Sequence, residues 1–470
     1  MNGVCKNILE GVVSAGILMG TVFAFDVKPI IIPLNRDVKI TVRATNPAEK
    51  KAIADLPLHY LSDQGRWQGG KTRGPGSPPP WQELKVDRGD GVLTFTVNVS
   101  DEGGHTLRFG APYSKGVLEF MIYSLRGDLF GMRPYKGDIH QHSVRCGHAK
   151  TEPHLVPAYN RRAGFDFMCL SEHRVLEPTF EAINAAKPWK SGLVMFPGEE
   201  FQTPCYTLHS VALGHHTGIS GYPKAKPEEF KRRVEAMLKK WLPVFKKYGM
   251  TQGEMEATAR ALVIYRVARE HGAKLVIYSH PNAMERNRNS YSAPPRFRQF
   301  MLEHADYDAL ELPNFDTGDP EFAYYRNTDV YMHMNALWVE TCHKRKWLIP
   351  VVGATDCHNQ AASWWLGSVV TVFFAPRCTL DEFVRAVKEL RSISEQNIRT
   401  THYVSFGPSR LIQFEQFLAK YYWPEHDRLC KKQGELLLKR AAGDMSVQPQ
   451  IEKLADEIDA YRESCYAPVK

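Results

Sequence analysis

Between about residues 27 and 129, apolar and polar residues alternate in short runs. In Val38-Lys39-Ile40-Thr41-Val42-Arg43 and Val92-Leu93-Thr94-Phe95-Thr96-Val97 the period is two, as in strands with one buried face. Gly, Pro and Asp break these runs, so the pattern predicts a small β-sandwich over 25–130, with residues 69–80 as a Gly/Pro-rich loop. From Tyr135 the pattern changes. Short, largely apolar runs at 194–196, 210–213, 275–278, 309–312 and 349–352 alternate with helical spacing, as at 153–162 and 176–187. This alternation predicts an α/β domain with a parallel sheet or barrel over 131–400. A helical insertion at 227–272 is too long for an ordinary connection and is expected to wall or lid the mouth. Amphipathic spacing then predicts a helical extension over 401–470, packed on the barrel or pairing with a second subunit.

Several of the apolar runs end in histidine and acid. They are Gly137-Asp138-Ile139-His140-Gln141-His142, Leu170-Ser171-Glu172-His173, Pro197-Gly198-Glu199-Glu200, Ile277-Tyr278-Ser279-His280-Pro281 and Gly353-Ala354-Thr355-Asp356-Cys357-His358. Parallel strands that discharge ligands at one end gather them at one mouth. Imidazole together with carboxylate is the donor set of divalent transition metals. His140 and His142 are two apart and share a strand face, and Asp356 and His358 repeat that spacing. His148 follows a turn at Gly147, Glu200 follows Gly198, and His209 opens the next apolar run. Taken singly, each has a plainer reading. A His-x-His pair is common on surfaces, His280 could cap a helix, and Glu199 or Glu200 could be solvated. Their ordered recurrence at strand ends is what points to a shared metal site. His215 and His216 read as a turn, and His105, His154 and His426 as structural.

Composition narrows the choice. A net charge of +8 over 470 residues is spread thinly, and the basic runs Lys231-Arg232-Arg233 and Lys239-Lys240 lie on a helical pattern. They read as a solvated face, and no nucleic-acid partner is expected. Nine cysteines without a CxxC pair exclude a zinc ribbon and a disulfide scaffold. Cys146 and Cys357 read as small side chains near the ligands. The apolar stretch 11–24, preceded by Lys6 and closed by Val22-Phe23-Ala24, is too short to span a bilayer and predicts a signal peptide over 1–24. Export to a periplasmic or extracellular space is the expectation, with a cytoplasmic start as the alternative. One or two disulfides would be compatible with it. No membrane span is expected in the mature chain.

The ordered motifs resemble the PHP superfamily, named for polymerase and histidinol phosphatase, over about half the chain from Arg133 to Phe374. The resemblance implies a distorted seven-stranded (β/α) barrel holding two or three divalent ions of zinc, manganese or iron. It implies that His140, His142, Glu200 and Asp356 hold one ion. Glu200 would bridge to a second ion held by His209 and His280, and His148, His173 and His358 would hold a third. The family's Thr-Asp-His stands here as Ser171-Glu172-His173, so Glu172 is expected to support the ligands rather than bind. Asp138 is expected to orient a ligating imidazole, and Asn314 to face the site.

Such a set would let divalent ions activate water as hydroxide and absorb charge on the substrate. Glu200, Asp356, His280 and Arg174 are the expected catalytic group. Arg145, Arg174, Arg286 and Arg288 lie in or after the ligand motifs and would suit a small anionic substrate. A phosphoesterase is therefore the first expectation. An exported carboxylester, carbamate or amide hydrolase on the same scaffold is the second, and a binding protein with an inert barrel the third.

Overall fold

The computed structural model describes residues 25–62, 81–111, 118–203, 208–281, 294–314, 328–362, 365–398 and 402–468. The expected signal peptide, the loop at 69–80, Arg286 and Arg288 lie outside these residues. The chain divides into two compact units, Met1–Gly127 with Ser464–Lys470, and Asp128–Glu463.

The first unit holds two sheets. One has the order β1 (Asp26–Lys28), β3 (Val38–Arg43), β7 (Val92–Val97), β6 (Asp87–Gly89). The other runs β2 (Ile31–Pro33), β9 (Glu119–Leu125), β8 (Gly103–Phe109), β4 (Leu58–Ser62), β5 (Gln82–Glu83). The two-residue period is realised directly: Val38, Ile40 and Val42 are buried while Lys39 and Arg43 are exposed. Phe25, at the head of β1, packs on Phe109 and Phe120 of the other sheet. The chain's end returns to this unit, where Ile31 and Tyr466 form a bridge and the Cys465 carbonyl accepts from Ile30 and Ile31. A purely helical extension over 401–470 is thus not what forms. Its last residues extend the first unit, and its first residues make a strand.

The second unit also has two sheets. The six-stranded sheet is ordered β12 (Val194–Met195), β11 (Phe167–Met168), β10 (Arg133–Asp138), β18 (Val369–Ala375), β19 (Ser392–Ile398), β20 (His402–Phe406). The five-stranded sheet is β13 (Gly198–Gln202), β14 (His209–Leu213), β15 (Leu275–Tyr278), β16 (Ala309–Asn314), β17 (Val351–Ala354). The domain is mixed α/β, but the expected seven-stranded barrel is not seen: among the described residues neither sheet closes, and β14, β18, β19 and β20 run antiparallel to their neighbours. Between β17 and β18 side chains do the work of a ladder. The Thr371 hydroxyl accepts from Gly353 N–H at 3.0 Å and donates to the Gly353 carbonyl at 2.7 Å. A Cβ at Gly353 would collide with Ser394 and the Val370 carbonyl, so glycine is what permits this approach.

One apolar core lies between the sheets, with Val211, Leu213, Ile277, Val352, Phe167 and Phe373 in contact. The opposite face of the five-stranded sheet, carrying Phe201, Ala212, Tyr278, Leu310 and Leu312, packs on the helical insertion. The insertion is a pair of helices, Pro227–Lys247 and Gln252–Glu270, the second started by a reciprocal Thr251–Glu254 cap. Strand alternation places Phe201 on the insertion side and Glu200 on the inner side. The insertion therefore buttresses the sheet's outer face, and the expected lid over the mouth is corrected.

The C-terminal helices Ser409–Tyr421, Trp423–Ala441 and Gln448–Ser464 pack on the second unit. At Gly434 the helix backbone lies so close to Arg162 that no Cβ would fit. No helix among the described residues is long and apolar enough to cross a membrane. Seven described cysteines are all free thiols, and Cys5 and Cys205 fall outside the described residues.

Candidate metal centre

At one end of the second unit the strand termini meet. His140 and His142 follow β10, with Gln141 bridged to Cys357 beyond β17, so two ligand stretches are held side by side. His173 is bridged to Glu200 in the same way. Glu200 sits within β13, His280 two residues beyond β15, and Asp356 and His358 beyond β17. His209 is the first residue of β14, which runs against its neighbours, and its N-terminal end therefore falls where the others end. The mixed sheet direction, unexpected from the sequence, is what brings His209 into the set.

All nine predicted ligands converge. Around Glu200, Oε1 lies 2.7 Å from His209 Nδ1, 3.3 Å from His140 Nε2 and 3.3 Å from His280 Nε2. Glu200 Oε2 lies 3.4 Å from His142 Nε2 and also meets His173 Nδ1. Asp356 Oδ1 lies 2.8 Å from His142 Nε2 and 3.4 Å from His140 Nε2. The outer imidazoles form a stack in which His142 and His358 have ring centres 4.3 Å apart, His358 and His148 4.5 Å, and His142 and His173 4.1 Å. His140, Glu200 and His280 form one compact donor group, His140, His142 and Asp356 a second, and His142, His173 and His358 a third.

Neighbouring groups fix which atom each imidazole presents. Glu311 Oε2, 2.8 Å from His140 Nδ1, turns Nε2 toward Glu200 and Asp356. The Gln202 side-chain amide donates to His209 Nε2 at 2.9 Å, so Nδ1 carries the proton and faces Glu200 Oε1 at 2.7 Å. The Asp356 carbonyl engages His358 Nδ1 at 2.8 Å, leaving Nε2 inward. Such contacts set tautomer and ring orientation in metal sites. Glu311 and Gln202 were not singled out from sequence. The signal for Glu311 was available: an acid inside the apolar run Leu310-Glu311-Leu312. Only the backbone of Asn314 is described. Glu172 accepts from Ser143 N–H at 2.6 Å and lies 3.6 Å from His142 Nδ1. Asp138 does something else. It accepts from the backbone N–H of His140 at 3.0 Å and from the Thr355 hydroxyl, clamping two strand ends rather than an imidazole.

The arginines differ in availability. Arg145 is paired with Glu181 at 2.7 Å and Glu152 at 3.6 Å, so it is committed elsewhere. Arg174 is exposed beside His173, and its backbone N–H donates to the Glu200 carbonyl at 3.0 Å. Arg174, His280 and Asp356 all have left-handed backbone, with φ of 64°, 29° and 51°. Such conformations cost energy in residues other than glycine and gather at functional sites.

The electrostatics fit divalent cations. Among the described residues the ion-pair partners of Glu200 and Asp356 are all histidines, with no lysine or arginine. Burial opposes ionisation of both carboxyls, yet the surrounding imidazoles hold them well below the usual carboxylate range. Burial likewise opposes charge on His142 and His280, but Asp356 and Glu172 on one, and Glu200 and Asp356 on the other, push each up to about 9. His358 is pushed down to about 3 by burial and by its neighbour His142. Asp138, shut away from solvent, is pushed up to about 7. His140 Nε2, His142 Nδ1, His280 Nδ1 and His358 Nε2 are buried without a hydrogen-bond partner, while His173 Nδ1 meets Glu200 Oε2. Buried polar atoms are rarely left so, and a convergent set of them is what a cation would satisfy.

No protein-family model matches the chain, and no curated protein matches it. Solved structures do resemble it. One is a two-domain protein from Bacteroides vulgatus containing a predicted PHP-like metal-dependent phosphoesterase. It is 16% identical over 57% of this chain, with a TM-score of 0.35, and the match spans 66% of that protein's length. The chain has PHP-like structural neighbours. A second is an amidohydrolase from Chromobacterium violaceum with bound sulfate and no metal, 14% identical over 47% of this chain and 88% of that one, TM-score 0.27. The Lin-41 filamin domain matches over 21% of this chain and 86% of its own, at 18% identity and a TM-score of 0.14.

Proposed function

We propose that the chain is a PHP-type metal-dependent hydrolase, acting as a phosphoesterase on a small anionic substrate at a two- or three-metal centre. One observation carries this reading: nine imidazole and carboxylate side chains from separate strand ends face one another, with buried donor atoms left unpartnered. Glu200, Asp356, His140, His142, His209 and His280 would hold the inner ions, and His148, His173 and His358 the outer one. Bound divalent ions supply an ionisable water near neutral pH and absorb charge on the substrate. The chain's residues do the rest. Glu200 lies among five imidazoles. Glu311 holds His140 in the tautomer that presents Nε2 to the centre. Arg174, exposed and next in sequence to His173, would supply a cation to an anionic substrate.

A second reading, a carboxylester, carbamate or amide hydrolase, draws support from Arg145. Its commitment to Glu181 and Glu152 leaves the described mouth with a thin anion clamp. Hydrolysis of p-nitrophenyl phosphate and of p-nitrophenyl acetate, each with manganese or zinc added to metal-free protein, separates the two. Phosphate turnover that depends on metal supports the first reading, and acetate turnover alone overturns it. Export through residues 1–24 belongs to the same proposal. A mature amino terminus near residue 25 in a secreted fraction supports it, and an intact Met1 in the cytoplasm contradicts it.

A further inference from the structure

Cys146 does not belong to the nine-residue set, yet it lies within it. Its sulfur and the ring nitrogens of His148 and His358 lie within 4.8 Å of one another, and it forms a second group of the same size with His142 and Glu172. A tetrahedral zinc site, with Zn–S of about 2.3 Å and Zn–N of about 2.0–2.1 Å, separates its donors by roughly 3.5 Å, so the spacing suits one shared cation. Local structure aims the donors. Cys146 ends a short 3-10 turn, Val144–Cys146, and Gly147 follows with left-handed backbone, which swings His148 back over the turn. His148 Nδ1 is 3.3 Å from the Cys146 carbonyl, and His358 Nδ1 is 2.8 Å from the Asp356 carbonyl. Each contact leaves Nε2 as the free donor, and that of His358 is buried without a partner. Independently of the cysteine, His142 Nδ1 and Glu172 Oε2 belong to fully buried side chains and face each other at 3.6 Å, with neither atom making a hydrogen bond.

We infer that Cys146 supplies a thiolate ligand to the outermost cation, together with His148 and His358. This rests on the metal-hydrolase reading and adds a chemical preference to it. Thiolate with imidazole selects zinc and related thiophilic divalent ions over manganese and magnesium, which favour oxygen donors. The thiol gives up its proton to solvent as the metal binds. The outer position then differs in kind from the inner ones, whose donors are imidazole and carboxylate.

Cobalt(II) loaded into the metal-free full chain tests this. The expected result is a sulfur-to-cobalt charge-transfer band in the near ultraviolet. The band persists in Cys378→Ser and is lost in Cys146→Ser, which also binds its last equivalent of zinc at least roughly tenfold more weakly. Cobalt bound with no thiolate band, or a band that survives Cys146→Ser, overturns the inference while leaving the hydrolase reading intact. No bound cobalt at all overturns both. A measurement on the unaltered chain guards against a variant that fails to fold. Zinc should slow iodoacetamide labelling of Cys146, read by peptide mass mapping, and labelling at an unchanged rate overturns the inference.

Discussion

The second unit buries two clusters of histidine and carboxylate, and they are finished differently. Around Asp166 every charge has a protein partner. Both His426 nitrogens are engaged, by Asp166 at 3.0 Å and Asp427 at 3.0 Å. Arg462 and Arg161 reach Asp166 at 2.7 and 3.3 Å, and Lys136 reaches Asp427 at 2.7 Å. This network joins the C-terminal helices to β10 and the residues before β11, and the chain itself supplies its cations. Among the described residues Glu200 and Asp356 pair with imidazoles and with no lysine or arginine, and several buried polar atoms lack a hydrogen bond. Buried charge is tolerated when paired, and unpaired buried donors are costly. The first cluster thus balances its charges within the protein, with only Arg462 Nε lacking a hydrogen bond among its described atoms, and on the proposed reading the second is completed by cations from outside. Burial does not separate them; the cations that pair with the acids do.

The largest expected effect breaks the open cluster. Glu200→Gln keeps the size of the side chain but removes the charge shared by five imidazoles. Metal-dependent turnover should fall by about 10³-fold or more, roughly 4 kcal/mol in the barrier, with bound metal reduced in parallel. An active, fully metallated Glu200→Gln would end the distinction.

Breaking the closed cluster should move stability instead. Asp166→Ala strands Arg462 and His426, and should cost about 3–5 kcal/mol in unfolding free energy while metal content per folded chain stays unchanged. pH sharpens the point. Burial disfavours charge on both partners, but their mutual attraction raises the pKa of His426 and lowers that of Asp166. The His426 contribution is therefore full below its unfolded value of about 6.5, and is lost as pH rises toward its higher folded value. The Asp166 contribution is full above about 3.9 and is lost as pH falls toward its lower folded value. Urea midpoints measured from pH 6 to 9 should fall less steeply in His426→Gln than in the parent, and equal slopes would contradict the assignment.

A smaller effect lies one layer out. Glu311→Gln should weaken metal binding about 10- to 100-fold by loosening the tautomer of His140, with little change in the unfolding midpoint. Smaller still, Arg174→Ala should raise KM for a phosphate ester several-fold and leave kcat nearly unchanged, because the guanidinium is exposed and screened.

Much of the open cluster was legible because its chemistry restricts residue type. Only a few side chains bind divalent ions, and His140, His142, Glu200, Asp356 and His358 stand where apolar runs stop. Glu311 escaped because an acid within a strand declares itself only when its partner is known, and His140 is far away in sequence. Asp138 was misjudged for a similar reason: its carboxyl turns to Thr355, which sequence spacing does not bring near. The two-sheet arrangement was not legible either. Strand direction depends on connections such as the one reversing β14, and the seam at Gly353 is closed by a Thr371 hydroxyl rather than by any periodic pattern. The strand at 402–406 was hidden because so short a run needs its partner β19 to define it.

The central claim is that the open cluster is completed by cations. Elemental analysis of the purified chain, combined with an anomalous-scattering map at the metal edge, tests it most directly. At least two divalent ions per chain, lying among His140, Glu200, His280 and Asp356, is the predicted result. A folded chain with no ion there, even after incubation with zinc or manganese, would contradict it.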